Sequence, residues 1–205
     1  DFRFDEASRV IYNFVWGSYC DWYLEFLKPI LNTKNKKEKE EATSFASYMF
    51  MNVLKLLHPF IPFFTEHMWQ ENKFNKSFKS ALINSNWPNP SKNTTFSKSL
   101  IEIESLIEII TAIRSTKVQL NMPPKEYCDI IYFNESKKIK TIIDNNLDII
   151  KQVGKVNNII MKTNSVVNII EIVVLNEKIG LKFQTQIDLI SQKSTLIKKQ
   201  NEIDH

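Results

Sequence analysis

The sequence predicts a mainly α-helical protein: a helical bundle over residues 1–125, a small α/β unit over 126–184 and the start of a coiled-coil arm over 185–205. Three observations predict it. Apolar residues recur at steps of three and four as far as about residue 121, the period of a helix with one buried face. From Tyr127 onward, runs rich in Val and Ile break that period. Near the end, Leu189, Leu196 and Ile203 repeat at seven, with Ile190 and Ile197 beside them.

Each element follows from local signals. Phe4, Ala7, Ile11 and Phe14 form one stripe, continued by Val15, Tyr19, Trp22 and Phe26, so a helix is predicted over about 4–31, ended or bent by Pro29. Residues 32–41 read as a charged, solvated loop. A second helix, about 40–57, places Ala42, Phe45, Met49, Val53 and Leu56 on one face and stops at His58-Pro59. Pro62 suits the first turn of a third helix reaching about Glu71. Residues 72–97 read as a long loop, functional or anchored by Trp87. A fourth helix, about 98–121, faces a core with Leu100, Ile103, Ile107, Ile110 and Ile113, and carries Arg114 and Lys117 near its C-terminus, where cations suit the dipole. Met122-Pro123-Pro124 closes it. Strands are predicted over 127–133, 156–161, 166–175 and 179–183, a helix over 135–152, and a turn at Asn176-Glu177-Lys178.

Composition narrows the function. The 205 residues are 43% hydrophobic and 24% charged, which excludes wholesale disorder. Only 3 glycines leave little room for phosphate-binding Gly-rich loops. Cys20 and Cys128 stand far apart with no Cys-x-x-Cys, so a reducing, cytoplasmic setting is expected. No run of eighteen apolar residues predicts a membrane span. The opening Asp-Phe-Arg-Phe, with no Met, reads as a piece of something longer.

Catalytic signals are weak. The histidines are His58, His67 and His205; none forms His-Glu-x-x-His, and no Gly-x-Ser-x-Gly or Walker loop occurs. Nucleic-acid binding fits better, although a net charge of +4 is modest. Tyr19, Tyr23, Phe45 and Tyr48 could stack on unpaired bases, or be core.

The wording of three blocks is more specific. Residues 4–31, above all Cys20-Asp21-Trp22-Tyr23-Leu24-Glu25 followed by Lys28-Pro29, resemble the anticodon-binding region of the valyl-tRNA synthetases, a class I family. Leu56-Leu57-His58-Pro59-Phe60-Ile61-Pro62-Phe63-Phe64-Thr65-Glu66-His67-Met68-Trp69 resembles a second block of that family, and Ile113-Arg114 through Asn121-Met122-Pro123-Pro124 a third. The resemblance is strong over about residues 4–125; beyond that only the layout matches. Lys117 stands where relatives commonly carry a second arginine, keeping charge but losing the planar fork.

The resemblance implies an antiparallel helical bundle that binds the anticodon stem-loop of a valine tRNA. By placement in the motif it implies Phe45 and Met49 as base contacts, with a core role as the competing reading, and Arg114 and Lys117 on the RNA backbone. Trp16, Trp22, Trp69 and His58 are assigned to packing, and Cys20, Asp21, Tyr23, Pro59 and Pro62 to the structural motif. The family's His-Ile-Gly-His and Lys-Met-Ser-Lys-Ser words do not occur here. The adenylation and editing domains, and the ATP and Mg2+ they use, are therefore expected upstream in the same polypeptide, with no catalytic residue, metal or cofactor in these residues. The alternatives are the same region of an isoleucyl- or leucyl-tRNA synthetase, which usually lack the Cys-Asp-Trp-Tyr-Leu-Glu wording, or a non-catalytic interaction module of synthetase ancestry.

Overall fold

The computed structural model describes residues 3–89, 96–133, 137–161 and 169–183. The predicted coiled-coil start at 185–205 lies outside the described residues. The chain is mainly helical with one small mixed sheet, and it divides into two compact units, Asp1–Thr95 and Phe96–His205. The long helix of residues 97–119, expected with the earlier helices, is grouped instead with the sheet.

In the first unit, helix α1 (Phe4–Asn13), a π-helical stretch (Phe14–Tyr23) and α2 (Leu24–Leu31) run on continuously, since Asn13, Phe14, Tyr23 and Leu24 are all right-handed helical. Pro29 sits inside α2 rather than ending it. Only the second half of the predicted stripe is buried: Tyr19 and Phe26 are covered, while α1 contributes no buried residue. Helix α3 (Lys36–Leu57) begins earlier than its hydrophobic pattern suggests. Asn35 caps it by accepting the Glu38 N–H at 3.3 Å, and Lys36–Glu40 and Lys37–Glu41 pair at i, i+4. Helix α4 (Pro62–Glu71) opens on Pro62, whose missing N–H would have had no helical partner there.

The predicted loop after α4 is partly ordered helix: α5 (Phe74–Phe78), then a 3-10 turn at Leu82–Asn84. Lys73 and Lys79 bracket α5 with φ of 59° and 49°. Trp87 is 53% exposed and is not the anchor. Leu82 is: it joins Met51, Leu54 and Trp69 in the core, and its N–H donates to Glu66 Oε2 at 3.0 Å. The Trp69 indole donates to the Ser80 carbonyl at 3.1 Å and packs beside Phe74 and Phe78.

In the second unit, α6 (Ser97–Gln119) packs on a sheet of four strands: β1 (Cys128–Tyr132), β2 (Val156–Met161), β3 (Ile170–Val174) and β4 (Glu177–Phe183), in the order β2-β1-β4-β3. β1 and β2 are parallel, joined through α7 (Lys137–Asn145) and α8 (Leu147–Val153). The one helix predicted there is two. It breaks at Asn146, whose amide donates to Glu102 Oε1 on α6 and to the Ile142 carbonyl. β3 and β4 form a hairpin whose two-residue turn is Leu175-Asn176, not Asn176-Glu177-Lys178. Both turn residues have positive φ, 52° and 63°, which matches the strand twist. A leucine is costly in that conformation, and the Leu175 N–H bond to Glu108 Oε1 at 3.1 Å helps to hold it.

Isoleucine is the commonest residue in the core of this unit. Ile109, Ile110 and Ile113 of α6, Ile130 and Ile131 of β1, Ile139 and Ile143 of α7, Ile150 of α8 and Ile179 of β4 are all fully buried, alongside Leu106, Val156, Val174 and Leu181. The predicted stripe of α6 holds at Ile110 and Ile113, which are fully buried, but not at Leu100 and Ile103, which are exposed; Leu106, Ile109, Thr116 and Lys117 are buried as well.

Candidate nucleic-acid interface

In the first unit a ladder of aromatic rings crosses from the π-helical stretch to α3. Tyr19 and Tyr23, four residues apart, stack with centroids at 5.4 Å; Tyr23 meets Phe45 edge-on at 6.2 Å; Phe45 and Tyr48 lie 6.2 Å apart. The inner end is buried at Tyr19, while Phe45 and Tyr48 are 54% and 56% exposed. Burial raises the pKa of both tyrosines Tyr19 and Tyr23; Tyr19 is pushed further up by Tyr23 and Cys20. The Tyr23 hydroxyl is buried with no partner among the described residues. Met49, half-buried, follows Phe45 by one helical turn. Phe45 is thus held from one side by a tyrosine and open on the other, which is the form of a stacking platform. Tyr48 was among the aromatics legible in the sequence; its i, i+3 relation to Phe45 was the signal that it belongs to the same surface.

The other motif residues separate by role. Trp69 is core, and Trp22 is half-buried with its ring 5.7 Å from that of Phe26. His58 is half-buried, with Nδ1 2.8 Å from Thr65 Oγ1. Thr65 Oγ1 also reaches the Ile61 and Pro62 carbonyls, at 3.0 and 3.1 Å, which ties His58 to the first turn of α4. Cys20 and Tyr23 are half-buried, and Asp21, Pro59 and Pro62 are exposed. Trp16 departs from its expected packing role: it is 61% exposed, with its ring parallel to that of Tyr12 at 6.4 Å.

Arg114 and Lys117 belong to the second unit. Their spacing puts both on the side of α6 that reaches the end of α8. Arg114 donates to the Val153 carbonyl at 3.3 Å, and Lys117 Nζ to the Gly154 carbonyl at 3.1 Å. These are among the carbonyls a helix leaves without partners at its C-terminus, where the dipole also favours cations. Lys117 is only 2% exposed, so its expected place on an RNA backbone is corrected: the ammonium is committed inside the protein. Burial pushes its pKa down, while nearby Cys128 pulls it up. The Cys128 thiol, which donates to the Lys155 carbonyl, is in turn pushed up to about 11, mainly by burial and against the pull of Lys117. Arg114 remains exposed.

A mainly helical chain with an exposed aromatic platform is matched by one family model, that of the anticodon-binding domain of tRNA ligases, over residues 1–132. The chain belongs to that family. Curated relatives that it resembles include valine–tRNA ligases. It is 37% identical to that of Pelagibacter ubique over 201 residues, 98% of this chain and 23% of the relative. It is 28% identical to that of Agrobacterium fabrum over 205 residues, 100% of this chain and 21% of the relative. To that of Staphylococcus epidermidis it is 34% identical over 145 residues, 70% of this chain and 16% of the relative. The chain therefore spans about a quarter or less of the length of these relatives. No helix among the described residues is long and apolar enough to cross a membrane.

Proposed function

We propose that this chain reads the anticodon stem-loop of a valine tRNA, as part of a valine–tRNA ligase that joins valine to its tRNA in the cytoplasm. The carrying observation is the open end of the ring ladder on α3, where Phe45 and Tyr48 are exposed and Met49 adjoins them. An unpaired base stacks on such a surface at little cost, and neighbouring side chains can then test its edge. Arg114 is kept as a proposed phosphate contact; Lys117 is not. The helices of the first unit are proposed to work as an antiparallel bundle, and residues 185–205 to begin a coiled-coil arm. ATP and Mg2+ would serve catalytic and editing regions elsewhere in the polypeptide, since the two class I catalytic words are missing from these 205 residues.

Filter binding to valine tRNA transcripts with matched and altered anticodons tests this reading. With about three phosphates neutralised in a single-stranded loop, the log–log salt slope should be roughly −2. Phe45→Ala should narrow the gap between matched and altered anticodons, whereas Arg114→Ala should weaken all transcripts about equally. Equal affinity of the unaltered chain for every anticodon would refute the assignment. Valine-dependent ATP–pyrophosphate exchange by this chain alone would refute the separation of reading from catalysis.

A further inference from the structure

The second unit holds a polar cleft that the anticodon-reading surface does not use. It lies between α7–α8 and the edge strand β2, with a volume of about 590 Å³, within the usual range for sites that take a small ligand. Lys140, Asp144 and Lys151 line it from the helices, Asn157 and Asn158 from β2, and Tyr132 from the end of β1. One side chain marks it as a built site. Tyr132 is buried, and its hydroxyl has no hydrogen-bond partner among the described residues. Such an orphan costs about 1–3 kcal/mol unless something else satisfies it. Burial, with Asp144 adding to it, raises the pKa of that hydroxyl, so it stays a donor at neutral pH.

The charges lining the cleft are unequal. Lys140 pairs with Asp144 and lies over the Tyr132 ring, 5.8 Å from its centroid. Lys151 is exposed and forms no ion pair among the described residues, so the side chains that line the cleft carry one positive charge in excess. Asn158 is spent on Asp129, whose Oδ1 accepts from both its backbone and its side-chain N–H at 3.0 Å. Asn157 is half-buried beside it. β2 is a sheet edge, so every second residue turns backbone N–H and C=O groups away from β1. A cation, an amide and a hydroxyl donor around one cleft suit an anion with several acceptor oxygens.

We propose that this cleft binds a phosphate group of an RNA backbone, with Lys151 as its cation and Asn157 and Tyr132 as hydrogen-bond donors, giving the chain a second RNA contact apart from the Phe45 platform. The inference rests on the reading of this chain as an RNA-binding protein, and the test separates the two. On the full 205-residue chain, inorganic phosphate should shift the amide signals of Lys151 and Asn157 in 1H–15N spectra, and Lys151→Met should abolish those shifts. With a valine tRNA transcript, Lys151→Met should weaken binding about fivefold at low salt and reduce the salt slope by about one. Lys36→Met, a charge removed from an exposed site in the first unit, should do neither. Tyr132→Phe should also weaken phosphate binding while raising the thermal midpoint, because the orphan hydroxyl is gone. Absence of any phosphate-induced shift would overturn the site. Phosphate shifts combined with an unchanged tRNA slope in Lys151→Met would overturn its assignment to RNA. Loss of all tRNA binding by the unaltered chain would overturn the RNA-binding reading and, with it, the RNA source, leaving the phosphate arm to decide the cleft alone.

Discussion

Replacing Lys117 by methionine separates a structural cation from an RNA ligand. The side chain is 2% exposed and its Nζ donates to the Gly154 carbonyl at 3.1 Å, itself at the end of α8. A hydrogen bond from a charged donor contributes about 1.5–3 kcal/mol, and its loss leaves a buried carbonyl without a donor. Methionine fills most of the volume of the lysine stem, so little cavity forms. Removing a buried charge returns part of the loss. The net expectation for Lys117→Met is a destabilisation of about 1–2 kcal/mol, and for Lys117→Ala, which also empties the stem's space, about 3–5 kcal/mol. With a urea m-value of roughly 2 kcal/mol/M, the methionine variant should unfold about 0.5–1 M earlier. All 4 tryptophans, Trp16, Trp22, Trp69 and Trp87, precede residue 96, so unfolding of the second unit has to be followed by far-UV circular dichroism or amide exchange. The salt slope of tRNA binding should not change. An unchanged urea midpoint together with a reduced slope would refute the reasoning and return Lys117 to the RNA backbone.

Other substitutions probe the same packing. Gly180 faces β1 closely: a Cβ there would stand 2.3 Å from the Ile169 side chain and 3.2 Å from the Ile131 Cβ, so Gly180→Ala should cost about 1–3 kcal/mol in urea unfolding. Trp69→Ala, which empties the core of the first unit and removes the bond to Ser80, should cost about 3–5 kcal/mol and be seen by the fluorescence of the remaining tryptophans. Because the Cys128 thiol titrates near 11 in the folded state against an ordinary 9.0, the folded form holds its proton longer than the unfolded one. Its stabilising contribution is present below about pH 9 and fades as pH rises toward 11, by about 3 kcal/mol in all. Lys117 shifts the other way, so its burial penalty eases as pH rises toward its ordinary value. The comparison of Cys128→Ala with the parent chain isolates the thiol: the variant should lose less stability between about pH 8 and 11, and parallel curves would contradict the burial argument.

Helix positions were legible wherever a local signal sufficed. Pro62 announced the start of α4, and the steps from Val15 through Phe26 predicted a helix that the structure carries to Leu31. The start of α3 carries no apolar signal; a polar one sets it, Asn35 followed three residues later by Glu38. The strands at 128–132 and 156–161 lie nearly where they are predicted, because Ile and Val recur there, and the strand predicted at 179–183 begins two residues earlier, at Glu177. Their pairing order was not legible. The split of one predicted helix at Asn146 depends on Glu102, 44 positions away.

The sequence by itself determined the helical character, the strands of the second half, the family through its block wording, and the aromatic supply from which the platform is made. All of these depend on residues within a few positions of one another. Tertiary structure decided how far along α6 the buried face extends, that Leu82 rather than Trp87 anchors the segment after α4, and where two cations go. Arg114 and Lys117 look alike in the sequence, both basic and both near a helix end. Both donate to carbonyls at the end of α8, 39 and 37 positions further on, yet Arg114 remains exposed and Lys117 is buried. Periodicity records that a helix has faces; only the element packed against it determines which face loses water, and so whether a lysine there meets solvent or a helix end.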